Sequence, residues 1–185
     1  MTRLGYVLVT VLAAQLFAGL FIATALLDPQ PRLIWNASAS APPGLYRIKD
    51  QRDPPAGTLV AVRPPHALAR WLSERGYLPE GVPLLKHIAA RTGQQVCRSG
   101  VVVSVEARPV AVAQVRDSRG RSLPVWQGCR ILEPGELLLL NPTVPDSMDS
   151  RYFGPLPASV LLGHAIPIFT RTTPDAPLIW RGIGS

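Results

Sequence analysis

Residues 5–27 read GYVLVTVLAAQLFAGLFIATALL, a run without a single charge whose only polar residues are Thr10, Gln15 and Thr24. At about 1.5 Å per residue, roughly 20 apolar residues cross a hydrocarbon core, so this run is long enough to span one. Arg3 precedes it and Asp28 follows it. The positive-inside rule then puts the N-terminus in the cytoplasm and the body of the chain outside. The competing reading is a cleaved signal peptide, since Ala23-Thr24-Ala25 resembles a small-residue cleavage site. Against it, the run exceeds the roughly 7–15 residues of a signal core. Either reading exports residues 28–185. In a bacterium the chain is then expected as a single-pass inner-membrane protein: a membrane anchor over 1–27 and a periplasmic domain over 28–185.

The exported part contains all of the chain's 20 prolines. Each removes a backbone donor and is costly inside a helix, which argues against a helical bundle. Asp28-Pro-Gln-Pro31 reads as a stiff linker. Beyond it, short apolar runs recur between proline and glycine: 57–63, 83–90, 101–106, 109–115, 136–140 and 160–169. All six read as strands. Val103-Ser-Val-Glu-Ala-Arg-Pro-Val110 looks like two strands joined by a tight turn. Only His66–Gly76 has helical character. It follows Pro64-Pro65, stops at a glycine, and spaces Ala67, Leu68, Trp71 and Leu72 into one apolar stripe. Trp71 reads as a core anchor. The expected fold is mostly β, a barrel or sandwich with one short helix, preceded by a transmembrane helix.

Cysteine usage fits export. Cys97 and Cys129 are expected to form a disulfide in an oxidising compartment; the alternative is two separate buried thiols. Two cysteines with no nearby histidine do not make a zinc site, so no metal and no cofactor are expected. The net charge of +7 permits an anionic partner. Nucleic acid is a poor fit, because the basic residues are scattered and only 116–121 is locally dense. The lipid bilayer is the expected anionic surface. Trp35 suits either the bilayer interface or the core.

Seventeen of the 19 basic residues are Arg; the two lysines are Lys49 and Lys86. Lys can lose its proton when buried and Arg effectively cannot. Lys86 sits in the apolar run Pro83-Leu-Leu-Lys-His-Ile-Ala-Ala90, where burial would lower its pKa. A neutral amine can take a proton from a serine hydroxyl. The bland alternative is a lysine that snorkels to water. No triad, nucleophile-elbow, metalloprotease, P-loop or dinucleotide motif is present. His66, His87 and His164 read as structural. Serine candidates lie in Asn36-Ala-Ser-Ala-Ser-Ala-Pro-Pro-Gly-Leu-Tyr46, where Pro42-Pro43-Gly44 forces a turn. Alone, this stretch could equally be a linker.

Three blocks, in order, resemble the Ser/Lys signal peptidases, and most closely their TraF-like conjugal transfer branch. They are Ser38-Ala-Ser40-Ala-Pro-Pro-Gly-Leu-Tyr46, Leu84-Leu-Lys86-His-Ile-Ala-Ala-Arg-Thr-Gly93, and Asp146-Ser-Met-Asp149-Ser-Arg151-Tyr-Phe-Gly154. The resemblance implies Ser40 as nucleophile and Lys86 as general base. It implies Ser38 as an oxyanion donor beside the Ser40 N–H. Ser147 would orient the lysine, and Asp149 would pair with Arg151 to hold its block. The chain departs from the family pattern at Ala41, at His87 and at Asn141-Pro-Thr-Val-Pro145. The implied substrate is a membrane-tethered protein precursor, a conjugative pilin in the TraF-like branch, whose own amine can resolve the acyl-enzyme into a cyclic product. Two other classes stay open: a general signal peptidase, and a non-catalytic membrane-anchored part of a conjugation or secretion apparatus.

Overall fold

The computed structural model describes residues 2–27, 32–51, 53–173 and 175–182. The linker read at Asp28–Pro31 lies outside them. The chain divides into two compact units, Met1–Pro31 and Arg32–Ser185.

The first unit is a single helix, α1, Arg3–Leu27, with every side chain at least partly open. Its length and composition suffice to cross a membrane. Thr10 and Thr24, two of the three polar residues in its uncharged run, turn their hydroxyls back onto backbone carbonyls of the preceding turn. That removes two exposed donors from an otherwise apolar surface.

The second unit is built from two antiparallel sheets. The strands are β1 (Leu33–Asn36), β2 (Gly44–Lys49), β3 (Leu59–Val62), β4 (Leu84–Arg91), β5 (Gln95–Ser99), β6 (Val102–Val105), β7 (Arg108–Val112), β8 (Gly128–Ile131), β9 (Glu136–Leu140), β10 (Leu156–Pro157), β11 (Leu161–Thr170) and β12 (Ile179–Trp180). The larger sheet has the order β1-β2-β11-β3-β4-β9-β10, with β12 on β11; the smaller is β7-β6-β5-β8. Two helices decorate them: α2, His66–Glu74, and the single turn α3, Ser150–Phe153.

The core explains the unbroken leucine run of β9. Leu137 and Leu139 enter one cluster with Val60, Val62, Leu72 and Ile88. Leu138 and Leu140 enter another with Val96, Val103 and Leu132, between the sheets. A strand buried on both faces has no polar side to alternate with. Leu72 is the buried residue of the α2 stripe, with Leu68 and Trp71 packed against the same cluster.

Six strands lie where no strand is expected from the sequence: β1, β2, β5, β8 and the two-residue β10 and β12. β5 (QVCRS) and β8 (GCRI) are short and polar, and β8 is exposed throughout. The Cys97–Cys129 disulfide joins them at directly opposed positions. β1 and β2 flank the Ser38–Pro43 segment. Gly44 is required where β2 begins: its φ is +150°, and a Cβ there would lie 2.0 Å from the Phe169 carbonyl oxygen on β11. The expected strand 109–115 stops at Val112. The tight turn between β6 and β7 places Glu106 and Ala107 both at positive φ, the geometry of a two-residue hairpin turn that matches strand twist. Trp35 is not a core residue: it is 52% exposed on β1.

Candidate active site

The site forms where three loops and one strand meet. Residues 37–43 connect β1 to β2, and the Asn36 side chain at the end of β1 holds this loop. Its Nδ2 donates to the carbonyls of Ser38, Ala41 and Pro42, while its Oδ1 accepts from the Ser38 N–H and the Ser38 hydroxyl. The Tyr46 hydroxyl donates to Pro42 O at 2.6 Å, locking the far end. Burial pushes the Tyr46 phenol up to about 12, so it stays a donor.

This pattern fixes proton positions. A serine hydroxyl has one proton. The Ser38 proton goes to Asn36 Oδ1, because that oxygen can only accept. In the 3.0 Å contact between Ser38 Oγ and Ser40 Oγ, Ser40 is therefore the donor.

Lys86 lies in the middle of β4, paired across from Val60, and is 1% exposed. Its Nζ donates to Ser147 Oγ at 2.8 Å. Burial disfavours the ammonium and brings its pKa down to about 8; Asp149 opposes the shift and Arg151 adds to it. Ser38, Ser40 and Lys86 line one cavity of about 280 Å³, with Leu72, Tyr77 and Met148 in its walls. Among the described residues there is no hydrogen bond between Ser40 and Lys86.

The segment 141–151 is organised by a buried ion pair. Asp149 is 0% exposed and Arg151 is 1% exposed. Arg151 Nε and Nη2 reach the two carboxylate oxygens at 2.8 and 2.9 Å. The carboxylate also accepts from the backbone N–H groups of Arg151 and Asn141, the first of these capping α3. The remaining guanidinium protons go to carbonyls of Val112, Asn141, Val144 and Pro145. One cation thereby fastens the loop that carries Ser147 to itself at three carbonyls and to the end of β7 at a fourth. Fully partnered charge at this depth is the condition under which burial is tolerable.

Asn141 joins the parts. Its Nδ2 donates to Ser40 O at 2.5 Å and to Leu85 O at 2.9 Å, and its Oδ1 meets His87 Nδ1 at 3.0 Å. One side chain thus touches the serine loop, the lysine strand and the third block. In the sequence Asn141 stands out only as a departure from the family pattern and Asn36 only as the start of a motif. The signal that could have found them is an Asn beside each serine-bearing block, where Asn tends to bond its own neighbouring backbone.

The cavity wall is closed by a long-range cluster. Tyr77, just after α2, donates to Asp117 Oδ2, which also receives Arg121 Nε at 2.7 Å. The Tyr77 hydrogen bond and the Arg121 contacts hold the Asp117 carboxyl well below its usual range. Arg75 stacks on Trp71, 4.9 Å from the ring centre. Among the described residues no group of three or more His, Cys, Asp or Glu could hold a metal ion.

A mostly β domain with a buried lysine, a serine-rich loop across the cavity from it and a supporting Asp-Arg block defines a signal-peptidase class of protein. The chain belongs to the signal peptidase family, peptidase S26, whose model matches residues 3–170. Its relatives lie in the TraF-like branch. It is 40% identical over 147 residues to a conjugal transfer protein TraF of Agrobacterium fabrum, covering 73% of this chain and 81% of that protein. It is 38% identical over 145 residues to a probable conjugal transfer protein TraF of Sinorhizobium fredii, covering 73% and 76%. A plasmid transfer protein TraF of Escherichia coli is 28% identical over 175 residues, covering 90% and 94%.

Proposed function

We propose that this chain is a membrane-anchored serine endopeptidase that uses Ser40 and Lys86 to process an exported protein precursor during conjugation. The observation that carries the reading is Lys86: a lysine buried in the wall of the cavity that Ser40 also lines, held by Ser147, with its amine shifted toward neutrality. A structural lysine has no need of such a place. The first 27 residues act as anchor, and residues 28–185 work on the periplasmic side of the inner membrane. Anchoring confines enzyme and tethered precursor to one surface and raises their effective concentration. Trp35, exposed on β1, rests at the bilayer interface, as Trp commonly does.

In the reaction, the Ser40 hydroxyl turns from Ser38 toward the neutral Lys86 amine, which accepts its proton. Ser40 Oγ attacks the scissile carbonyl. The Ser40 N–H and the Ser38 hydroxyl, released from Asn36, donate to the developing oxyanion. The Lys86 ammonium then protonates the leaving amine, and an acyl-enzyme remains. Ser147 keeps the Lys86 amine aimed, and the Asp149–Arg151 pair keeps Ser147 in place. A pilin is the proposed precursor, by analogy with the conjugal transfer relatives. Water or the pilin's own N-terminal amine would release the acyl group.

Co-expression of the candidate pilin precursor with wild type, Ser40→Ala or Lys86→Met tests this by mass spectrometry. Processing by wild type alone supports the dyad, and a product lighter by one further water is cyclic. Processing that survives both substitutions overturns it.

A further inference from the structure

Ser40 lies between two cavities. The first is the Lys86 cavity. The second, about 230 Å³, is lined by Ser40, Pro42, Pro43, His87, Asn141 and Thr143. Successive side chains of a strand point to opposite faces, so Lys86 enters the first cavity and His87 the second. His87 and Thr143 also line a larger, mainly apolar groove of about 490 Å³, together with Val110 and Pro142.

The protonation of His87 follows from its neighbours. Asn141 Nδ2 faces two carbonyl oxygens, Ser40 O and Leu85 O, which can only accept. That fixes the amide, so Oδ1 is the atom facing His87 Nδ1 and can only accept in turn. His87 Nδ1 therefore carries a proton. In the neutral ring the lone pair is then on Nε2, which has no hydrogen-bond partner among the described residues. An acceptor of fixed direction is held beside the nucleophile, on the side away from the general base, by the same amide that grips the nucleophile's own carbonyl.

We infer that this second cavity is the acceptor subsite, which takes the polypeptide segment bearing the α-amine that leaves the acyl-enzyme or attacks it, and that His87 Nε2 accepts a hydrogen bond from that amine. The inference rests on Ser40 forming an acyl-enzyme. Peptide cleavage releases an amine, and by microscopic reversibility an attacking amine occupies the same place. In aminolysis the amine nitrogen forms the C–N bond and the C–Oγ bond to Ser40 breaks. The proton lost by nitrogen passes to neutral Lys86 and from there to Ser40 Oγ. His87 takes no proton; it orients the nitrogen lone pair toward the acyl carbon through the second N–H. Water has no side chain or backbone to fill the cavity, so the subsite favours a peptide amine over hydrolysis.

The test is a partition measurement on the full chain in detergent. The acyl donor is the thioester of acetyl-Ala-Leu-Ala, and the acceptor is the peptide Gly-Ala-Phe-amide. The ratio of ligated to hydrolysed product is read by mass spectrometry, and it does not depend on how much enzyme is folded. His87→Asn keeps a donor near the place of Nδ1 but has nothing at that of Nε2. His87→Gln restores an acceptor there. We expect the ratio to fall about three- to tenfold in His87→Asn, the worth of one hydrogen bond, and to recover in His87→Gln. An unchanged ratio in His87→Asn overturns the inference, as does an equal fall in both variants, which would mark a packing role, or a wild type that only hydrolyses at saturating acceptor. Wild type that shows no Ser40-dependent thioester turnover counts against the underlying peptidase reading instead, and the subsite falls with it.

Discussion

Lys86→Met should make the protein more stable and inactive. The amine is 1% exposed, and its pKa falls from 10.5 to about 8 because burial disfavours its charge. A lysine whose folded pKa lies below its unfolded value binds fewer protons in the folded state between those two values. Stability must therefore rise with pH across the window from about 8 to 10.5. Below that window the charged lysine costs the fold its full share, roughly 3 kcal/mol for a shift of this size. Methionine has a similar shape and no charge to desolvate. It forfeits the hydrogen bond to Ser147, worth about 1 kcal/mol. The net expectation at pH 7 is a gain of roughly 2 kcal/mol, shrinking to nothing near pH 10. Urea unfolding of both full-length proteins in detergent, at several pH values, reads the difference directly, because groups common to both cancel. The reasoning is refuted if Lys86→Met is less stable at pH 7 and the gap does not change with pH. On the proposed mechanism the same protonation governs the rate, so wild-type processing should climb about tenfold per pH unit below 8 and level off above it.

Other substitutions probe the supports. Ser147→Ala leaves the Lys86 amine without its partner and should lower processing by about 10- to 100-fold, on the usual cost of an unsatisfied buried donor; initial rates check it. Asp149→Ala strands the Arg151 guanidinium in the core and should cost about 3–5 kcal/mol, with Asp149→Asn milder, measured by urea unfolding. Replacing Cys97 and Cys129 by serine opens a loop of sequence separation 32 and should cost roughly 3 kcal/mol. Its larger effect should be on β8, seen as faster amide exchange at 128–131, because that edge strand is exposed and joined to the sheet along β5 alone.

The parts legible in the sequence are those whose signal is local. The uncharged run of α1, the stripe of α2 and the apolar runs of β4 and β9 each declare themselves within the element's own 25, 9, 8 and 5 residues. The three motif blocks were visible as well, and they converge on one cavity and its supports. Relations made by tertiary contact were hidden. β5 and β8 carry little apolar pattern, and their pairing depends on the chain returning from 112 to 128. Gly44 looked like a turn residue, yet its lack of a side chain serves the close passage of β11. Asn141 looked like a lost motif, yet it bonds to residues 56 and 101 positions away. Tyr77 and Asp117, 40 positions apart, gave no sign of meeting.

The central claim is that Ser40 forms a covalent acyl bond with the precursor. The most direct measurement is acid quenching of full-length enzyme with precursor in the first turnover, followed by mass spectrometric mapping of the digested enzyme. The account predicts a transient acyl adduct on the peptide containing Ser40, located at that residue and absent in both Ser40→Ala and Lys86→Met. Processing of the precursor at the wild-type rate by Ser40→Ala, with no adduct on any serine of the 38–40 loop, would contradict it.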